Sequence, residues 1–124
     1  MLRRPILIVE DEPDLRETLQ ELLELAGYKV ATAANGREAL ARLDEIGPVC
    51  LILLDLMMPV MSGWEFLDAL KSSASQVLAS IPVVVVSATA DVADVKRLGG
   101  CRVMKKPVDL ELLMAVVQEY CEMG

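Results

Sequence analysis

Cys50-Leu51-Ile52-Leu53-Leu54-Asp55 is the stretch on which the fold turns: five apolar or thiol-bearing residues run straight into one carboxylate. A strand with one wet face alternates apolar and polar residues. A continuous run fits a strand covered on both faces, as in a parallel sheet. Widened to Val49–Leu54, it has four companions of the same character: Pro5–Val9, Lys29–Ala33, Pro82–Val86 and Arg102–Lys105. Between these runs the apolar period changes to that of a helix. Pro13–Ala26 aligns Leu15, Leu19, Leu22 and Leu23, with Gly27 as its stop. Arg37–Ile46 follows Asn35-Gly36, and Trp64 to about Ser73 follows Gly63. Asp91–Leu98 is short, and Asp109–Cys121 starts from an N-cap aspartate. Five strands alternating with five helices predict a three-layer α/β sandwich with right-handed crossovers.

The 124 residues suit one domain, residues 1–124, and 54% apolar content is enough to bury a core. A formal net charge of −7, from 19 acids and 12 bases, argues against a nucleic-acid surface; the adjacent basic pairs, Arg3–Arg4, Lys96–Arg97 and Lys105–Lys106, are scattered along the chain. Cys50, Cys101 and Cys121 are odd in number and widely spaced, which reads as reduced, structural thiols of a cytoplasmic protein. The apolar run after Arg4 is too short for a signal peptide. Ser72–Ala90 carries no charge, but its serines, Gln76, Thr89 and Pro82 exclude a spanning helix, so a soluble protein is expected. There is no histidine. That excludes a Ser-His-Asp triad and His-ligated zinc, leaving carboxylates, hydroxyls, lysine and a hard cation.

Ligands of open parallel sheets bind beyond the carboxyl ends of the strands. There the sequence puts Glu10 and Asp11, Asp55, Ser87, and Lys106 before Pro107. Singly, each has a plain explanation. Glu10, Asp11 and Asp14 suit the start of a helix, Ser87 suits a turn, and Lys106 suits a surface. Asp55 resists this, because a carboxylate ending an apolar strand is costly to bury. Together, Glu10, Asp11 and Asp55 gather negative charge that Lys106 and one divalent cation would neutralise. Such an all-oxygen site suits Mg²⁺ beside a phosphate. Asp55 is then the candidate nucleophile for an aspartyl phosphate.

Val9-Glu10-Asp11-Glu12-Pro13, Leu54-Asp55-Leu56-Met57-Met58-Pro59-Val60-Met61-Ser62-Gly63, Val86-Ser87-Ala88 and Lys105-Lys106-Pro107-Val108-Asp109 resemble the motifs of response-regulator receiver domains of two-component signalling. The resemblance runs from Pro5 into the last helix. It implies a flavodoxin-like sheet of order 2-1-3-4-5 and a phosphorylation-driven switch that catalyses its own Mg²⁺-dependent phosphorylation and dephosphorylation, rather than a turnover enzyme. Asp55 would accept the phosphoryl group from a histidine kinase or phosphotransfer protein. Glu10, Asp11, Asp55 and the Met57 backbone carbonyl would hold Mg²⁺. Lys106 would bind a phosphoryl oxygen ahead of a cis bond to Pro107, Ser87 would hydrogen-bond the phosphoryl group, and Gly63 would permit the turn into the third helix. A downstream protein, not a membrane or nucleic acid, would read the switch, and no output domain is expected within these residues.

Three positions depart from the family pattern. Val103 stands where an aromatic residue is usual, the segment between Ser87 and Gly99 is about one helical turn short, and Met57 replaces a common polar residue. The first two favour an alternative, a binding module of the same fold that acts without phosphorylation. An aspartyl-phosphate phosphatase is the weaker rival, because Met57 stands where such enzymes need a proton-donating aspartate.

Overall fold

The computed structural model describes residues 4–88 and 102–121. The expected helix at Asp91–Leu98, with Gly99 and Cys101, lies outside them. Five short strands form one sheet: β1 (Ile6–Val9), β2 (Val30–Ala33), β3 (Leu51–Leu54), β4 (Val83–Ser87) and β5 (Arg102–Lys105). All pairings are parallel, in the order β2-β1-β3-β4-β5. Because β1 lies between β2 and β3, the chain reverses its direction of travel across the sheet there. A crevice opens at that point, beyond the ends of β1 and β3.

Five helices are described: α1 (Pro13–Leu25), α2 (Gly36–Ile46), α3 (Gly63–Lys71), α4 (Gln76–Ala79) and α5 (Leu110–Cys121). The strand period of two sorts the core into two layers. Leu7, Val9, Ile52, Leu54, Val83 and Val85 face Ala39 and Leu43 of α2 and Phe66, Leu67 and Leu70 of α3. Ile6, Ile8, Leu51, Leu53, Val84 and Val86 face Leu19 and Leu23 of α1 and Leu113, Val116 and Val117 of α5. Every residue of β1 and β3 is therefore buried, which is why their sequences do not alternate.

The helix ends follow local chemistry. The expected stop at Gly27 is a Schellman motif: Gly27 has φ +98°, its N–H donates to Glu24, and the Tyr28 N–H donates to Leu23. Asn35 caps α2 through the Glu38 N–H at 2.9 Å, and Ser62 with Glu65 forms a capping box on α3. Asp109 accepts the Leu112 N–H at 3.2 Å, as its N-cap reading requires. The four-residue helix α4, capped by Ser75, falls in the serine-rich stretch that carried no helical expectation. It is too short for apolar periodicity to register.

The cysteines correct the reading of separate, reduced thiols. Cys50, just before β3, and Cys121, the last residue of α5, are joined by a disulfide with their Cα atoms 5.5 Å apart, although 71 positions separate them in the chain. Sequence spacing does not carry this pairing. It arises because α5 packs over β3 and ends beside the strand's first residues.

Candidate functional site

The end of β1 sets the first two carboxylates. The Glu10 N–H continues the ladder to the Ala33 carbonyl at 3.0 Å, and the side chain turns back to accept the Glu12 N–H at 3.2 Å. Arg16, one turn into α1, donates to the Glu10 carbonyl at 2.8 Å and the Asp11 carbonyl at 3.5 Å. That holds the acidic loop against its own helix. The end of β3 sets the third carboxylate. The Asp55 N–H donates to the Val9 carbonyl at 3.0 Å, and Asp55 Oδ1 accepts the Met57 N–H at 3.2 Å.

Glu10, Asp11 and Asp55 each offer a carboxylate oxygen, and these oxygens lie within 4.8 Å of one another. Glu10 and Asp55 are only 2% and 5% exposed, so water does little to screen their repulsion. Lys106 answers it from the end of β5, with Nζ 3.0 Å from Glu10 Oε1 and 3.6 Å from Asp55 Oδ2. Glu12 adds a fourth carboxylate 4.0 Å from the same ammonium. Ser87 is buried at the end of β4, and its carbonyl accepts the Lys106 N–H at 3.1 Å. The Lys106–Pro107 bond is cis, as expected.

Burial pushes the Glu10 carboxyl up from 4.5 to about 7, against the Lys106 hydrogen bond that lowers it. Asp55 is also raised, by burial first, although the Met57 N–H and the Lys106 charge work against this. Burial disfavours the Lys106 ammonium, but the Glu10 hydrogen bond and the Asp55 and Glu10 charges outweigh it, and its pKa is raised. The cluster is an excess of negative charge held at the mouth of the sheet. Three clustered carboxylates, all hard oxygen donors, fit a divalent cation such as Mg²⁺.

The loop from Asp55 to α3 is fastened at two glycines. A Cβ at Gly63 would run into the Asp55 carbonyl oxygen and the Leu56 Cα. The glycine expected here is thus needed for close approach at the first turn of α3. The second fastening is at Gly36, whose N–H donates to the Met61 carbonyl at 3.1 Å; a Cβ there would sit 2.7 Å from Met61 Cγ. Met57, 65% exposed, and Val60, 66% exposed with φ 69°, stand on the outer side of this loop.

A sequence profile described as the response regulator receiver domain matches residues 6–118. The chain belongs to that family. This receiver domain of two-component signalling is 35% identical over 122 residues to transcriptional regulatory protein CrdR of Helicobacter pylori, covering 96% of this chain and 55% of that protein. It is 38% identical over 117 residues to response regulator Rre1 of Synechocystis, covering 91% and 49%. The receiver thus spans about half the length of these curated relatives. Among solved structures, a response regulator receiver protein from Pseudomonas putida superposes with a TM-score of 0.86 at 30% identity, covering 96% of this chain and 98% of that one. Chemotaxis protein CheY4 of Vibrio cholerae gives 0.83 at 30% identity, covering 96% and 99%.

In the receiver, Glu10, Asp11 and Asp55 cluster, Lys106 pairs with Glu10 and Asp55, and Ser87 ends the strand between β3 and β5. Sequence reasoning overlooked Arg16 and the Gly36–Met61 contact. Arg16 had a signal, a cation in the first helical turn after the acids. The Gly36 contact had none, because it joins loops at the ends of different strands. No helix among the described residues is long and apolar enough to cross a membrane.

Proposed function

We propose that the receiver is a phosphoacceptor switch in which an Asp55 carboxylate oxygen attacks the phosphorus of a phosphohistidine. The P–N bond breaks, an O–P bond forms, and the donor histidine leaves neutral after taking up a proton. The observation that carries this reading is the buried Asp55 carboxylate, 3.6 Å from Lys106 and clustered with Glu10 and Asp11. Phosphoryl transfer asks a protein mainly for alignment and charge stabilisation. Lys106 receives the charge of the incoming phosphoryl oxygens, the Met57 N–H orients the attacking carboxylate, and the Ser87 hydroxyl serves as hydrogen-bond donor to the bound group. Glu10, Asp11, Asp55 and the Met57 carbonyl would hold Mg²⁺, which supplies positive charge to the phosphoryl oxygens when bound.

The donor is a histidine kinase or a histidine phosphotransfer protein, since the chain has no histidine. The receiver works in the cytoplasm, promotes its own dephosphorylation by water at the same site, and passes the signal to a protein partner. Incubation with acetyl phosphate and Mg²⁺, followed by intact-mass and peptide analysis, tests this. A phosphoryl adduct on Asp55 that Asp55→Asn abolishes is expected. No adduct on the wild type, or one that survives in Asp55→Asn, would overturn the reading.

A second reading, a module that binds its partner without phosphorylation, draws on Val103. This half-buried side chain packs against the α2–α3 core layer in place of a movable aromatic ring. Partner binding equal for wild type and Asp55→Asn would favour it.

A further inference from the structure

The end of the sheet opposite Asp55 carries a second reactive pair. We propose that Cys50 and Cys121 form a reversible thiol–disulfide site that takes small disulfides such as glutathione disulfide as oxidant. It would set the order of the last turn of α5 without altering the chemistry at Asp55. Their Cα separation of 5.5 Å lies in the usual range for a bonded pair. Both residues are half-buried rather than sealed, so a small thiol or disulfide can reach them.

The reduced protein keeps its fold, because α5 is anchored by Leu113, Val116 and Val117, which are 0–2% exposed. Beyond Val117 the apolar anchorage thins out. Gln118 and Glu119 are exposed, and Tyr120 is half-buried. Among the described residues, that turn is also held by Tyr120 against the α1–α5 core layer, the exposed Arg102–Glu119 pair at 2.7 Å and the Arg102 guanidinium 5.8 Å from the Tyr120 ring centre. An exposed pair of this kind holds a helix end weakly. The cross-link is therefore what fastens that turn, together with the Arg102–Glu119–Tyr120 surface. Cys50 and Asp55 stand at opposite ends of β3, roughly 16 Å apart at the rise of a strand.

In the oxidising direction, one protein thiolate attacks the glutathione disulfide, forming a mixed disulfide and releasing one glutathione thiolate. The second protein thiolate then displaces the other glutathione. Two protein thiols give up two electrons and two protons, and one small disulfide becomes two thiols. A reducing compartment runs the same steps backwards, so the site suits a protein that meets changing thiol poise.

The test equilibrates the full chain in glutathione buffers of stepped ratio, alkylates the free thiols and maps the peptides. A Cys50–Cys121 linkage that dithiothreitol reverses is expected. The oxidised form should melt about 10 °C higher than the reduced form. Its amide protection should rise at residues 118–121, while acetyl phosphate labelling of Asp55 stays within twofold. Cys50→Ser and Cys121→Ser should each erase the redox dependence of melting, and Cys101→Ser should keep it. A linkage that forms only in denaturant or maps to Cys101, equal melting of both redox forms, or a larger change in Asp55 labelling would each overturn the proposal.

Discussion

The two ends of the sheet are built on opposite principles. Beyond the carboxyl ends of the strands, Glu10, Asp11 and Asp55 crowd like charges beside one ammonium, and burial raises the pKa of Glu10 and Asp55. At the amino ends, a covalent bond ties the start of β3 to the last residue of α5. One end holds charge that is unfavourable until a cation arrives. The other end adds stability that does not depend on any such ligand. Strands β1 and β3, buried along their whole length, connect the two ends.

The contrast can be broken most forcefully at Lys106. Lys106→Met leaves buried Glu10 and Asp55 without their partner, and a loss of about 3–4 kcal/mol is expected in urea unfolding. Adding Glu10→Gln should recover much of it, because a neutral side chain needs no counter-charge. Recovery by a surface charge change instead would show that the cluster is not the cause.

The pH dependence follows from the raised carboxyl groups. Below pH 4.5 Glu10 is protonated in both folded and unfolded chains. Between 4.5 and about 7 the unfolded chain releases its proton first, so metal-free stability should fall as pH rises through that window. The fall should be up to about 3 kcal/mol. Asp55, also raised, acts in the same direction. Mg²⁺ should bind more tightly as pH rises through the same window and flatten the decline; chelation should restore it. Urea titrations at stepped pH, with and without Mg²⁺, measure both.

Gly63→Ala strikes the hinge between Asp55 and α3. A methyl group meets the Asp55 carbonyl, and a loss of about 2 kcal/mol with slower acetyl phosphate labelling is expected. The smallest effect belongs to the other end. Glu119→Ala removes an exposed ion pair and should cost less than about 1 kcal/mol, with labelling of Asp55 unchanged.

Much of this was written in the chain. Unbroken apolar runs at Ile6–Val9 and Leu51–Leu54 specify buried parallel strands because alternation is absent, and Asp55 stands out because no cheap turn explains a carboxylate there. Gly27 and Asp109 were legible because the backbone chemistry of helix ends is local. Contacts between residues distant in sequence were not. Gly36 seating against Met61 and Cys50 meeting Cys121 need helices placed on a sheet. Sequence by itself determined the elements and the polar residues that end the strands, since periodicity and capping act within a few residues. Only the tertiary structure decided which of those residues share a charge cluster and which cysteines pair. Such pairings depend on where packing brings two chain ends, and no local pattern encodes that distance.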